Sequence, residues 1–450
     1  MKIATVLLAA GKGTRMHSRI PKVLHSLAGY PLIWHTLQAI KNLSEDPPVV
    51  VIGHQSESVK AVVGETVRYV IQEEQLGTGH ALMQTEELLR GRSDLVLVVQ
   101  ADNPLLTTET LENLIEAQKT NTGPFSFVTG TSDIPRGSGR ILRNKIGQIV
   151  AIVEEIDATP EQSKIKEVNA GVYCFQAEWL WDNLKKLPLS SKGEYYLTDM
   201  VDIAIKAGLH LEVCTLGEPT EAIGINDRVH LAEAETIMRE RINQKWMLSG
   251  VSIIDPQTTY IEAGVTISQD TIIYPNTFLQ GDTHIGEDCQ IGPNAILRDA
   301  RVGDQCIVFA STIEQARIDD KVKVGPYSHL RKGAHLAEGV CMGNFGEVKN
   351  AYLGPGVKLG HFTYIGDATI GKNVNIGAGT ITCNFDGEKK HHTTIEDDVF
   401  IGSDTMLVAP LTIGKGSRTG AGAVVNKDVP KDTVVVGIPA RAIRKLTKHD

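Results

Sequence analysis

TIIYPNTFLQGDTHIGEDCQIGPNAIL, Thr271 to Leu297, places Ile273, Leu279, Ile285, Ile291 and Leu297 six residues apart. The series reaches back to Ile267 and Ile261, and glycine usually stands nearby. A period of six fits neither an α-helix nor a plain alternating strand. It fits a parallel β-helix of hexapeptide repeats, in which each unit forms one side of a triangular coil and turns one aliphatic side chain inward. Stacked coils stabilise one another, and glycines and small polar residues are expected at the corners. After a slip the register resumes at Ile318, Val324, Leu330, Leu336, Met342 and Val348, and it closes with Ile395, Ile401, Leu407 and Ile413. One polar stretch, CNFDGEKKHHTT (Cys383–Thr394), breaks the rhythm. Loops that leave a solenoid gather on one binding face, although a solvated surface loop explains the same composition. His391 and His392 could suggest a metal site, but no Cys or Asp/Glu pattern supports one.

Outward from the solenoid the pattern changes twice. Leu231, Ala234, Met238, Ile242 and Trp246 recur every three or four positions, which predicts one amphipathic connector helix over 228–250. Before it, residues 1–227 alternate short β-branched runs (Ile3–Leu8, Val49–Ile52, Val67–Ile71, Leu95–Val99) with helical stretches (Leu32–Leu43, Ala81–Leu89, Glu109–Lys119). That alternation predicts a mostly parallel sheet covered by helices. The chain thus divides into an α/β domain at 1–227, a connector at 228–250 and a hexapeptide domain at 251–450.

The 450 residues exceed one ordinary core. A net charge of -9 argues against a nucleic-acid polymer or an anionic membrane as partner. No run approaches a membrane span. The opening MKIATVLLAA lacks a clear A-x-A cleavage site. The six cysteines form no C-x-x-C pair and read as free thiols of a reducing cytoplasm.

In LLAAGKGTRM (Leu7–Met16) a strand breaks into a glycine loop with two nearby cations, Arg15 and Lys22. The third glycine of a dinucleotide fingerprint and the G-K-[ST] of a Walker loop are both missing. What remains is bare backbone able to approach phosphate, with cations to neutralise it; a tight turn also explains the glycines. QEEQLGTGHA adds Gln72, Gly77 and Thr78, suited to a pyrimidine edge or equally to a turn and helix start. LVLVVQADNPL puts Asp102 at the carboxyl end of a strand, where open α/β sheets bind ligands, and there it could hold Mg²⁺ or cap a helix. EEIDAT, KEVNAGVY and GIND supply Glu154, Asn169 and Asn226.

Together LAAGKGTRM, PKVLH, EQLGTGHA, GEYYLTDM, GHFTYIGDA and NVNIGAGTITCNFDG resemble the bifunctional N-acetylglucosamine-1-phosphate uridylyltransferases and glucosamine-1-phosphate acetyltransferases of bacteria, over residues 1 to about 430. The resemblance implies a Rossmann-like nucleotidyltransferase domain followed by a left-handed parallel β-helix. It implies Mg²⁺, with UTP and acetyl-CoA as co-substrates of glucosamine 1-phosphate and N-acetylglucosamine 1-phosphate. Leu8, Ala9, Ala10 and Gly11 would touch nucleotide through backbone; Arg15 and Lys22 would stabilise phosphates; Gln72, Gly77 and Thr78 would read uracil. Asp102 and Asn226 would hold Mg²⁺, and Gly139, Glu154 and Asn169 the amino sugar. For acetyl transfer it implies His361 as general base, since imidazole titrates near neutrality. Arg331 and Lys349 would clasp phosphate, Tyr364, Asn375 and Lys390 the sugar, and Asn384, Ser403 and Ala421 acetyl-CoA. It also implies a homotrimer with sites between subunits, in the cytoplasm. Three positions depart from the family: Ala101 where glycine is usual, Phe385 where tyrosine is common, and a tail, GIPARAIRKL, like that of simpler hexapeptide acyltransferases.

Overall fold

The computed structural model describes residues 1–132 and 137–445, so Leu446 of the tail lies outside it. Two compact units emerge, Met1–Met238 and a second from Arg239 onward. The helix Arg228–Leu248 is shared between them. Leu231, Ala234 and Met238 pack with Leu27, Leu32 and Leu105 in the first unit. In the second, buried Asn243 donates to the carbonyls of Pro256 and Thr259 at 2.9 and 3.1 Å.

The first unit is built on one sheet: β1 (Ile3–Leu8), β2 (Val49–Ile52), β3 (Arg68–Ile71), β4 (Leu95–Gln100), β5 (Phe125–Thr131), β6 (Arg140–Arg143), β7 (Ile149–Val153), β8 (Glu167–Gln176) and β9 (Glu212–Thr215). The main order is β9-β5-β8-β4-β1-β2-β3, with the β6–β7 hairpin attached through β8. All main pairings are parallel except those of β8, which runs antiparallel to both β4 and β5. Alternate residues feed opposite faces. Val6 and Val98 pack on one side with Phe125, Tyr173 and Trp181; Leu7, Val50 and Val99 pack on the other with Ile33 and Leu111. Strands so apolar on both sides need helices on both sides. The stretch predicted as one helix over Ala81–Leu89 is two, Thr78–Met83 and Glu86–Leu89. Buried Thr85 lies between them, its hydroxyl donating back to Leu82 O at 2.8 Å, a bond that competes with helix continuation.

In the second unit every residue of the six-period series is buried, from Ile261 (3% exposed) to Ile413 (0%). Each coil contributes one strand to each of three faces. One face is a sheet of twelve strands; the other two join into a seventeen-stranded sheet because Glu347–Leu353 and Tyr364–Ile370 bend across the corner between them. All coil-to-coil pairings are parallel, stacking Ile261 on Leu279, Leu279 on Leu297 and Leu297 on Ile313. The corners enter the left-handed region at glycines, among them Gly281, Gly333 and Gly356, and as often at Asn and Asp, among them Asp288, Asn294, Asn350 and Asp367. These short polar side chains tolerate that conformation better than other non-glycine residues. At the far end Arg441–Lys445 folds back antiparallel on Thr433–Val436 and covers the last coil's edge. Leu279→Ala removes a fully buried side chain between two stacked neighbours, and a loss of about 2–5 kcal/mol is expected in denaturant unfolding of the second unit.

Candidate functional site

In the first unit the parallel strands β1 and β4 end side by side, and the chain leaves both into one cleft of about 580 Å³. Leu8, Ala9, Ala10, Gly11, Arg15, Lys22, Gln72, Gly77, Thr78, Asp102, Gly139, Glu154, Asn169 and Asn226 all line it. The glycine loop allows this convergence. Gly13 has φ +61°, and a Cβ there would stand 2.6 Å from Lys22 Cβ, so the loop and the Lys22 segment close together only because that atom is missing.

Lys22 ion-pairs with Asp102 Oδ2, their side chains only 13% and 15% exposed. Asn226 Oδ1 accepts from Arg15 Nη2 at 2.7 Å and from Lys22 Nζ at 3.5 Å. Asp102 Oδ1 is buried and accepts no hydrogen bond from the described residues. A buried carboxylate oxygen with no donor, beside an amide oxygen, fits a hard divalent cation that draws its remaining ligands from substrate phosphate and water. Among the described residues no group of three or more His, Cys, Asp or Glu could hold a metal by itself. The Ala101 methyl is fully buried in the core with Leu7 and Val99 and does not line the cleft.

In the lining of the cleft, buried Gln72 spends its amide N–H groups on Gly77 O at 3.1 Å and His80 Nδ1 at 3.0 Å. Its carbonyl oxygen is left to accept. His80, unnoticed in the sequence, is fixed in turn by Gln84 at 3.1 Å. Among the other lining residues, Glu154 accepts from Thr198 Oγ1 at 2.9 Å, and Asn169 Nδ2 donates to the Tyr173 hydroxyl at 2.6 Å. Thr198 and Tyr173 also line the cleft; both lie in strings already quoted, but neither spacing nor chemistry marked them. Burial pushes the Glu154 carboxyl upward, with Asp199, Asp157 and Glu194 adding to the shift.

Asp199 itself is pushed up to about 6 by burial and then by Asp202. A carboxyl raised on folding binds more protons native than unfolded, so its contribution to stability falls as pH rises from about 4 to about 6. Asp199→Asn is expected to flatten that decline and to raise the thermal midpoint at pH 7 above wild type, checked by melts at pH 5 and 7.

The second unit gathers its candidates at different corners. His361 is exposed and closes Lys358–His361 on the twelve-stranded face. Register matches Leu359 with Ile376 and Ile376 with Ile401, and pairs Phe400 with Arg418. His361, Ala378, Ser403 and Ala421 therefore occupy one edge position in four successive coils. At about 4.8 Å per coil this column of small residues extends roughly 14 Å beyond His361. Asn375 stands on the same face, paired with Lys358 and Phe400.

The other candidates surround Asp367 at the next corner. Asp367 accepts from Asn350 Nδ2 at 2.6 Å and from Asn384 Nδ2 at 2.5 Å, with Lys390 Nζ at 3.7 Å. Burial raises its carboxyl, but these amides and the nearby Lys390 and Lys349 outweigh it and hold it below the usual range. Arg331 pairs with Glu347 at 2.8 Å, and Glu347 stacks over Tyr364. One chain thus brings Arg331, Lys349, Tyr364, Asn384 and Lys390 together and leaves His361, Ser403 and Ala421 on a separate edge. In the interrupting loop Phe385 is 60% exposed and bridges to Lys390, His391 pairs with Asp386 at 2.6 Å, and His392 meets Thr369 at 3.0 Å.

Comparison with known proteins places these features. Residues 5–152 match the MobA-like NTP transferase domain, and residues 264–299 and 392–427 match the bacterial transferase hexapeptide family of six repeats. The bifunctional protein GlmU of Heliobacterium modesticaldum is 46% identical over 97% of this chain and 95% of its own. That of Halalkalibacterium halodurans is 43% identical over 99% and 97%, and that of Exiguobacterium sibiricum 45% identical over 99% and 98%. At that identity over the full length of both partners, this chain belongs to the family of the bifunctional protein GlmU.

Proposed function

We propose that this chain makes UDP-N-acetylglucosamine in two steps: glucosamine 1-phosphate is acetylated by acetyl-CoA, and the product takes UMP from UTP with release of pyrophosphate. The family supports both activities. The observation that carries the reading is the knot of Arg15, Lys22, Asp102 and Asn226 at the mouth of the glycine loop.

Uridylyl transfer needs no protein nucleophile. A phosphate oxygen of N-acetylglucosamine 1-phosphate attacks the α-phosphorus of UTP, and the bond to pyrophosphate breaks. The protein's work is to align the two and neutralise charge. Backbone at Leu8–Gly11 approaches the phosphates, and Arg15 and Lys22 supply positive charge. Gln72 accepts from the uracil N–H, with Gly77 and Thr78 beside it. Gly139, Glu154 and Asn169 hold the sugar. Asp102 and Asn226 would hold Mg²⁺, which when bound offsets charge on the phosphoryl oxygens.

For acetyl transfer His361 takes a proton from the sugar amine as the amine nitrogen attacks the thioester carbonyl, the C–S bond breaks, and the departing CoA thiolate takes that proton back from His361 and leaves as the thiol. The column through Ser403 and Ala421 offers an edge with little side-chain bulk along which the extended body of acetyl-CoA lies, with Asn384 at its other side. Arg331 and Lys349 hold the sugar phosphate, and Tyr364, Asn375 and Lys390 the sugar. The separation of the His361 edge from the Asp367 corner supports a homotrimer in which neighbouring subunits complete each site. No helix among the described residues is long and apolar enough to cross a membrane, and we place the enzyme with its soluble substrates in the cytoplasm.

Two assays on one purified sample test the reading. Glucosamine 1-phosphate with acetyl-CoA should release free thiol; N-acetylglucosamine 1-phosphate with UTP and Mg²⁺ should release pyrophosphate. Pyrophosphate without thiol would reduce the β-helix to an assembly module.

A further inference from the structure

We propose that the edge of the first unit's sheet opposite the catalytic cleft carries a second site, which binds a small oxyanion, phosphate or carboxylate. The parallel strands begin there: a pocket of about 360 Å³ is lined by residues at or just before the starts of β1, β2, β3 and β4. Its size is in the range of small-molecule sites. Four charged side chains face it, and they do not balance. Lys2 and Asp46 pair with each other at 3.0 Å. Arg68 and Arg92 are left over. Among the described residues neither guanidinium makes a hydrogen bond or an ion pair, although both act through space on Asp46.

Two unpaired guanidiniums around one cavity are unexpected in a chain of net charge -9. The one lining carboxylate that both act on, Asp46, is already engaged by Lys2, so a bound anion would offset the charge that remains, and the planar guanidinium forks match carboxylate and phosphate alike. An independent feature points the same way. Ser93 lines the pocket, and its hydroxyl is buried with no hydrogen-bond partner among the described residues. A buried hydroxyl with no partner costs stability unless something supplies one, and an oxyanion would. The floor beside these groups is apolar, made by Ala4, Val49, Leu88 and Leu89. The ligand class is therefore a small anion whose head meets Arg68, Arg92 and Ser93 and whose body, if any, lies on that floor.

The site would be tested by calorimetric titration of the full-length chain with inorganic phosphate and, separately, with malonate. Because phosphate also meets the cations of both catalytic sites, the reading is the difference between wild type and the double variant Arg68→Ala/Arg92→Ala. Both arginines are exposed, so the variant should fold. Wild type should bind one more equivalent per chain of phosphate, malonate or both, and the variant should lose that equivalent or bind it roughly tenfold or more weakly. Phosphate alone would identify a phosphoryl site, and malonate alone a carboxylate site. Ser93→Ala, which breaks no internal hydrogen bond, should weaken the same equivalent roughly threefold or more. UDP-N-acetylglucosamine should bind all three proteins equally. Equal stoichiometry and affinity for both anions in wild type and the double variant would overturn the proposal.

Discussion

His361→Ala is expected to slow acetyl transfer by about 10²–10⁴-fold while uridylyl transfer stays at the wild-type rate. The amine of glucosamine 1-phosphate must lose a proton as it becomes an amide, and His361 is the imidazole on the edge where the column of small residues begins. Its side chain is exposed and makes no hydrogen bond to the described residues, so its removal leaves no buried group unpaired. The thermal midpoint should therefore remain within about a degree or two of wild type, since surface changes of this kind alter stability by under about 0.5 kcal/mol. Thiol release and pyrophosphate release, measured on the same preparation, separate the two effects. A fall in both rates would mean that the substitution had damaged the fold.

Lys22→Ala should have the mirror effect, lowering uridylyl transfer by about 10²–10³-fold with acetyl transfer unchanged. Lys22 lies between Asp102 and Asn226 in the cleft, and in the proposed reaction its positive charge stands where the phosphates would meet. Because that charge is called upon as the α-phosphorus is attacked, kcat should fall further than KM rises. The substitution also strands Asp102, whose other oxygen already lacks a partner. Some loss of stability in the first unit is therefore expected. Lys22→Gln keeps a donor near Asp102 without the charge, and it should recover that stability without recovering the rate.

The solenoid was legible because its period is local: one inward residue every six positions survives as a pattern in any register. The corners were less so. Glycines and small polar residues were expected there, and Gly281, Gly333, Asp288, Asn294, Asn350 and Asp367 all take the left-handed conformation, but nothing in their spacing announces which residue turns which corner. Strands β1 to β4 were visible as β-branched runs, within a residue at each end. The reversed direction of β8 was not, because pairing direction depends on partners distant in sequence. The β6–β7 hairpin, with exposed Ile146 at its tip, has too little apolar alternation to stand out.

Much of the lining of the first cleft was readable from motifs, since each string stays short and contiguous, but Tyr173 and Thr198, which orient Asn169 and Glu154, were not. Asp367 was missed even though it lies within the quoted string GHFTYIGDA, because its role exists only when coil stacking brings Asn350 and Asn384 to it. The alignment of His361 with Ser403 and Ala421 was hidden for the same reason. The loop of Cys383–Thr394 lengthens one coil, so Asn375 pairs with Phe400 and the six-residue count is lost across that gap.

The central claim is that one chain carries two independent sites joined only by a diffusing intermediate. The direct test is complementation. His361→Ala and Lys22→Ala chains are purified separately, and each is given glucosamine 1-phosphate, acetyl-CoA, UTP and Mg²⁺ while UDP-N-acetylglucosamine is followed. Each alone should make almost none, and an equal mixture of the two should restore the product at a substantial fraction of the wild-type rate. A mixture as inactive as its parts would contradict the account.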